Sequence, residues 1–229
     1  MPDALTAPAR PPVTLDWGRT GYADALRRQE ELAARRIRGE SGDVLVFTEH
    51  EPVITVGVRR DAARHLLLPG SELKRRGIAL QPTNRGGDVT YHGPGQIVGY
   101  PIVSLAPRRD LHAYLRFLEQ VLIDAVGAFG VAAARRPGRT GIWVERRKLA
   151  AIGVAVKRWT AFHGFALNGN TDLEPFRAIV PCGIPAADGS VTSLQLELGR
   201  PVDLSAVRRG LAERFWRGWP DYLAGAGAA

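Results

Sequence analysis

Asn84-Arg85-Gly86-Gly87-Asp88-Val89-Thr90-Tyr91-His92-Gly93-Pro94-Gly95-Gln96 is the densest stretch of the chain. Four glycines in thirteen residues let the backbone take positive φ angles and approach a ligand closely. Arginine, threonine, tyrosine and histidine are interleaved with them. A glycine-rich hairpin with a buried His92 is the plain alternative, but a structural loop rarely needs so many polar groups beside its glycines. The Gly-Lys-[Ser/Thr] ending of a Walker loop is missing, so this is not a phosphate cradle of that kind.

Working outward, three further segments carry chemistry. Lys148-Leu149-Ala150-Ala151-Ile152-Gly153 sets a lysine at the mouth of an apolar strand. Such a lysine is ordinarily solvated, as Arg146 and Arg147 are expected to be. Buried beside a thiol, its ammonium would stabilise a thiolate and its free amine would accept a proton. His163-Gly164-Phe165-Ala166-Leu167-Asn168 alternates small and apolar residues. That suits a strand passing an acyl chain or another backbone, and equally an ordinary core strand. Ile179-Val180-Pro181-Cys182-Gly183-Ile184 holds the single cysteine of the chain, followed by Val191-Thr192-Ser193-Leu194. One cysteine has no internal disulfide to make, so a buried apolar thiol, a surface thiol and a nucleophile remain open. Pro181 and Gly183 put Cys182 in a turn rather than on an apolar stripe, and Gly183 leaves backbone N–H groups free to face an oxyanion.

Hydrophobic residues make up 45% and charged residues 24% of the 229 residues, as in soluble globular proteins. No apolar run approaches the roughly 18 residues of a membrane helix. Met1–Pro12 has no apolar signal region and reads as a short disordered arm, so a cytoplasmic protein with a reduced thiol is expected. Thirty-one Lys+Arg against 23 Asp+Glu give a net charge of +8. The basic pairs are scattered, without a basic tail or aromatic interleaving, which speaks against nucleic acid. An acidic protein partner and a merely solvated surface remain.

The periodicity predicts helices over Asp24–Arg38 (apolar Leu26, Ala33, Ile37), Leu111–Phe129 behind an Asp110 N-cap, and Leu204–Phe215. Strands are expected over Val44–Thr48, Val53–Val56, Ile78–Leu80, Gln96–Leu105, Gly141–Val144, Leu149–Val156 and Ala161–Leu167. Pro101 hints that its strand lies at an edge or carries a bulge. Helices interleaved with hairpin-linked strands give an α+β or mixed α/β fold with a substantially antiparallel sheet. The chain reads as one catalytic domain over residues 1–229, with an arm over about 1–12 and a loose tail over about 222–229.

Taken together, Arg85–Gln96, Lys148 with Ile152-Gly153, His163–Asn168, and Pro181–Ile184 with Thr192-Ser193-Leu194 resemble the lipoyl(octanoyl) transferases. The resemblance runs from about Tyr22 to Phe215, and Lys148 and Cys182 stand 34 residues apart, as in that family. Asp88 departs from the glutamine of many members and is expected to tune activity, its side chain alternating away from that of Val89. The resemblance implies the biotin/lipoate protein ligase fold, a mixed, largely antiparallel sheet with packed helices. It implies transfer of an octanoyl group from octanoyl-acyl carrier protein to a lysine of a lipoyl domain, in 2-oxoacid dehydrogenases and the glycine cleavage H protein. Cys182 would be the acylated nucleophile, and Lys148 would activate it and serve the incoming amine. Arg85, Gly86, Gly87, Asp88, Val89, Thr90, Tyr91, His92, Ala151, Ile152 and Gly153 would line the acyl pocket. Gly164, Phe165 and Ala166 would line its other side, with His163 and Asn168 in support. No cofactor, metal, nucleic acid or membrane is implied, and a monomer is expected. The nearest rival is an ATP-dependent lipoate–protein ligase of the same fold; a non-catalytic basic binding module is the alternative of another class.

The net positive charge has a use with acidic carriers, since opposite charge speeds encounter. Raising ionic strength is therefore expected to lower kcat/KM for octanoyl-acyl carrier protein, because steering is screened beyond about 8 Å at physiological salt. A flat salt profile would leave the basic surface without a part in recognition.

Overall fold

The computed structural model describes residues 11–180 and 189–225. In chain order its strands are β1 (Val13–Thr20), β2 (Val44–His50), β3 (Val53–Val56), β4 (Ala79–Pro82), β5 (Val89–His92), β6 (Gln96–Ser104), β7 (Ala134–Arg136), β8 (Arg139–Val144), β9 (Arg147–Lys157), β10 (Thr160–Asn168) and β11 (Ser190–Val191). The helices are α1 (Tyr22–Ile37), α2 (Gly70–Arg75), α3 (Leu111–Gly127), α4 (Leu194–Leu198) and α5 (Leu204–Leu223). The main sheet runs β1-β2-β6-β10-β9-β8-β7, with β11 added on β9. β1 meets β2 and β11 meets β9 in parallel, and the other neighbours are antiparallel. A smaller sheet, β4-β3-β5, stands apart from it. The mixed, largely antiparallel architecture expected from the sequence is the one that forms.

The main sheet is buried on both faces, which is why its central strands are almost continuously apolar. Leu45 and Phe47 of β2, Ile97 and Val103 of β6, and Phe165 and Leu167 of β10 join the core beneath α3 and α5. Val44, Val46, Val98, Tyr100, Ile102, Phe162 and Ala166 face α1 on the other side. Period-two alternation along each strand thus feeds two cores.

α3 begins where expected: the Asp110 carboxylate accepts the Ala113 N–H at 2.9 Å. Leu118, Leu122 and Ala125 of its stripe are buried, whereas Leu111 and Leu115 turn to a cavity described below. α1 buries Tyr22, Ala25, Gln29 and Ala33, so of the apolar positions Leu26, Ala33 and Ile37 only Ala33 faces the core. Two alanines and a hydrogen-bonded glutamine let this helix lie close to the sheet, and Leu26 and Ile37 fall at the margins. α5 outruns its expected end at Phe215 because Trp219 and Tyr222 continue its buried face. Tyr222 is therefore no part of a loose tail. β1 was not expected, although Val13, Leu15 and Trp17 alternate; with the short β7 it forms an outer strand.

Pro101 lies in the middle of the sheet, with β6 paired on both sides, so the edge expectation is wrong. Pairing with β10 runs from Ser104 to Val103 and resumes at Gly99 opposite Phe165. The residue facing Pro101 in that register is His163, which has φ +56° and sends its N–H to the Gln29 side chain at 3.0 Å. The missing proline donor is thus matched by a local break in β10. Gly164 fits there because a Cβ would lie 2.2 Å from the Gly99 carbonyl oxygen and 2.5 Å from Pro101 Cδ. Gly164→Ala is expected to destabilise by about 2 kcal/mol or more, since both obstacles are rigid. Gly127→Ala, at a helical position with open space, is expected to stabilise by roughly 0.5–1 kcal/mol. Urea unfolding of the two variants beside wild type checks the contrast.

Candidate active site

The loop between β4 and β5 crosses from the small sheet onto the large one. Gly86 N–H donates to the Val154 carbonyl of β9 at 2.9 Å. A Cβ on Gly153 would stand 2.7 Å from the Gly86 carbonyl oxygen, so glycine is required at this crossing. The Arg85 side chain folds back and donates to the Thr55 carbonyl at 2.9 Å and its hydroxyl at 2.8 Å. Between this loop, β9, β10 and the start of α3 lies a cavity of about 370 Å³. Small-molecule sites run from roughly 300 to 1,000 Å³. A larger groove of about 720 Å³ between α3 and α5 contains none of the sequence motifs.

Arg85, Gly86, Gly87, Asp88, Val89, Thr90 and His92 reach the cavity from the small-sheet side. Lys148, Ala151, Ile152 and Gly153 of β9, with His163, Gly164, Phe165 and Ala166 of β10, form the facing wall. Lys148 is 7% exposed, not solvated as an ordinary surface lysine would be.

A chain of hydrogen bonds then joins the motifs. The His92 ring bonds through Nδ1 to Gln96 Oε1 at 2.7 Å. Gln96 Nε2 donates to Asn168 Oδ1 at 2.9 Å, and Asn168 Nδ2 donates to the Thr192 carbonyl at 2.8 Å. Thr192 N–H closes the path on the Lys148 carbonyl at 3.0 Å. Cys182 lies outside the described residues, but the chain on both sides of it is fixed. Val180 N–H donates to the His65 carbonyl at 2.8 Å, and β11 pairs Val191 with Lys148.

Residues 21–216 match the family described as the lipoyl protein ligase A/B catalytic domain. An octanoyltransferase of Geobacter metallireducens is 52% identical over 201 residues, covering 87% of this chain and 90% of that protein. The chain belongs to this family, among its octanoyltransferases. Solved ligases share the fold. A lipoate-protein ligase A bound with ATP gives a TM-score of 0.71 at 17% identity, covering 93% of this chain and 86% of that one. A bi-partite lipoate protein ligase of Thermoplasma acidophilum gives 0.67 at 18%, covering 96% and 85%.

The histidines at the cavity are held neutral: His92 and His163 line it, and His50 packs behind His92 with ring centroids 5.7 Å apart. His50 Nδ1 donates to the Thr20 carbonyl at 3.0 Å, so Nε2 accepts the Tyr100 hydroxyl at 2.6 Å. Burial pushes His50 down to about 4, against which the Thr20 bond works. His163 donates through Nε2 to Asn84 Oδ1 at 2.6 Å. Burial, reinforced by the Arg85 charge, pushes it down to about 3. His92 is pushed well below the usual range by burial, then by His50 and Arg85. Tyr22 stacks on it with ring centroids 6.0 Å apart. These rings offer fixed hydrogen bonds and apolar faces, which suit an acyl chain better than proton transfer.

Tyr91 is the expected lining residue that the cavity does not touch: it packs on Phe176 in the core of the small sheet, at 5.4 Å between centroids. Strand alternation sends Thr90 and His92 the other way. Asp88 is buried and accepts from His65 Nδ1 at 2.8 Å, Arg59 Nη1 at 3.2 Å and the Val89 N–H at 2.7 Å. Its charge is thus met by an arginine and a histidine distant in sequence. Tyr22, Tyr100, Leu111, Leu115 and Arg139 also line the cavity and carried no sequence signal as site residues.

Neutral burial of His50 and His163 sets a pH dependence. Their folded values lie below the ordinary 6.5, so the unfolded chain binds more protons as pH falls through 6.5. The contribution is fully present above 6.5 and is lost on acidification toward about 4 for His50 and about 3 for His163. For His50 this amounts to about 3 kcal/mol. Thermal midpoints are expected to fall steadily below pH 6.5, and His50→Gln to flatten the slope between pH 6.5 and 5. An unchanged slope would assign the loss to carboxylates.

Proposed function

We propose that the protein moves an octanoyl group from octanoyl-acyl carrier protein to a lysine amine of a lipoyl domain through a thioester on Cys182. The observation that carries this reading is the seating of Lys148. It is buried at the cavity wall, and the strand that follows the Cys182 segment is registered on it through Val191. The histidines nearby are held neutral and hydrogen-bonded, which leaves the lysine as the group suited to partner a thiol.

The reaction starts from the Lys148 ammonium and the Cys182 thiolate. The thiolate attacks the carrier thioester carbonyl, a new C–S bond forms, and the carrier sulfur leaves. It takes a proton from Lys148, which becomes an amine. The acceptor lysine then attacks the octanoyl-cysteine carbonyl. As the C–N bond forms and the C–S bond breaks, Lys148 takes the excess proton and the starting ion pair returns. Thioester exchange is nearly balanced in energy, and amide formation from a thioester runs downhill, so no nucleotide is consumed. Neutral rings with Val98, Leu115, Ile152 and Phe165 give the alkyl chain an apolar enclosure. Acidic carrier and lipoyl domains are the partners that the net charge of +8 favours. Among the described residues no helix is long and apolar enough to cross a membrane.

Octanoylation of a lipoyl domain is expected to proceed in nucleotide-free buffer containing EDTA. Folded Cys182→Ala is expected to lose transfer by at least a thousandfold, and intact mass after incubation with donor alone to show one octanoyl group on Cys182. A strict ATP requirement, or turnover by Cys182→Ala near wild type, would favour an acyl-adenylate ligase instead.

A further inference from the structure

We propose that Trp143 is a positioning residue for the transfer, its ring face holding the Lys148 side chain at the cavity wall and favouring its ammonium form. The inference rests on the Cys182–Lys148 chemistry proposed above.

Trp143 and Lys148 are cross-strand partners on β8 and β9. The Lys148 Nζ lies 5.2 Å from the centroid of the Trp143 ring, which is itself 2% exposed. An indole face is the strongest aromatic partner for a cation, and removal from water increases the effect. The Arg136 guanidinium of β7 stands over the same ring, also at 5.2 Å. One electron-rich ring is therefore shared by two cations. The indole Nε1–H has no hydrogen-bond partner among the described residues, so the ring is not held there for its donor.

The backbone is shaped to permit this contact. The β8–β9 register shifts between Ile142 and Trp143. Gly141 has φ +112°, and a Cβ there would stand 2.9 Å from Lys148 Cε and 2.4 Å from the Ala150 carbonyl oxygen. The lysine stem thus runs through the space that a side chain at 141 would fill. Gly141 N–H is fixed from beneath by the buried Glu119 carboxylate at 2.9 Å, which Arg116 and Arg135 hold at 2.5 and 3.2 Å. Past the Cys182 segment, a Cβ on Gly189 would stand 3.6 Å from the Trp143 ring. The ring therefore borders both the lysine and the chain that follows the Cys182 segment.

Among the described residues, the charged groups on the elements around Lys148 are Arg135 and Arg136 on β7, Arg139 on β8, Arg147 beside it, Glu119 on α3, and Glu197 on α4, which Arg147 and Thr192 hold. The cations disfavour a neighbouring ammonium. The ring face opposes them, and opposing them keeps the cation that stabilises a thiolate.

Lys74, Lys148 and Lys157 are the lysines of the chain. Full-length protein enriched with 13C at lysine Cε therefore gives three signals, and Lys148→Arg assigns the one from Lys148. Its titration is followed in wild type, in Trp143→Phe, in Trp143→Leu, and in protein carrying a fluorinated tryptophan at 143. Fluorination keeps the shape of the ring and drains its face of negative charge, which a purely steric role would not register. The expected result is that the Lys148 signal titrates differently from wild type in Trp143→Leu and in the fluorinated protein, in the direction of a weaker hold on the cation, with Trp143→Phe in between. Alkylation of Cys182 at neutral pH should slow in the same order. Identical Lys148 midpoints in wild-type and fluorinated protein overturn the proposal, whether or not Trp143→Leu folds. Lys148→Met is run beside them. If it transfers and alkylates like wild type, the dyad chemistry fails and this inference with it. If it is impaired while the fluorinated protein matches wild type throughout, the role of Trp143 alone is refuted.

Discussion

The Gly86 N–H reaches the Val154 carbonyl at 2.9 Å only because Gly153, one residue away, offers no side chain to the Gly86 carbonyl. This bare crossing of two backbones ties the small sheet to the large one. Arg85, clamped on Thr55 of β3, fixes the approach from one side. β5, paired with the same strand, fixes it from the other. The cavity is the space that this contact leaves between the sheets, so its depth depends on how closely the loop can lie on β9. A methyl group inserted there would lift the loop and every ligand-facing group it carries.

The same crossing accounts for the electrostatic character of the site. Arg85 brings a permanent cation close to His92 and His163, and burial takes both rings out of water. Each effect disfavours a second charge, and each ring finds its hydrogen-bond partner in neutral form. This wall of the cavity is thus polar in composition and uncharged in its rings. The proposed chemistry lies at the opposite end of β9, where Lys148 sits. In the proposed reaction, stabilisation of the acyl chain and activation of the nucleophile are separated along one strand.

Much of this was legible in the sequence where local signals and tertiary demands coincide. Asp110 ahead of an apolar period of 3.6 gave α3, and alternation gave β9 and β10. The glycines and polar groups of Arg85–His92 do converge on the cavity, with the exception of Tyr91. Other features depend on partners that no spacing reveals. Pro101 is tolerated mid-sheet because of a break at His163, 62 residues away. Asp88 is matched by Arg59 and His65, which belong to a 3₁₀ turn and its approach, not to any motif. Leu111 and Leu115 share the helical period of core residues and differ only in lying at the end of α3 that overhangs the cavity. Trp143 reads as an ordinary strand aromatic until β8 is laid beside Lys148. Cys182 itself, singled out by its isolation in the sequence, lies outside the described residues.

The two outer strands are built against adding a further strand. β1 is interrupted where its register on β2 shifts between Asp16 and Arg19, and Asp16 caps the Gly18 N–H at 2.8 Å instead of leaving a flat ladder. Arg208 of α5 reaches across to Asp16, and Pro11-Pro12 immediately before the strand supply no N–H donors. At the far side β7 is three residues long and contains Arg135 and Arg136. Short length, a bulge, proline and like charge are the devices by which natural sheets discourage a foreign strand from adding to their rims. In the proposed reaction, which receives two different carrier domains in turn, rims that do not bind extended chain are an advantage. Recognition is left to side chains and surface charge, which dissociate far more readily than a shared ladder of backbone hydrogen bonds.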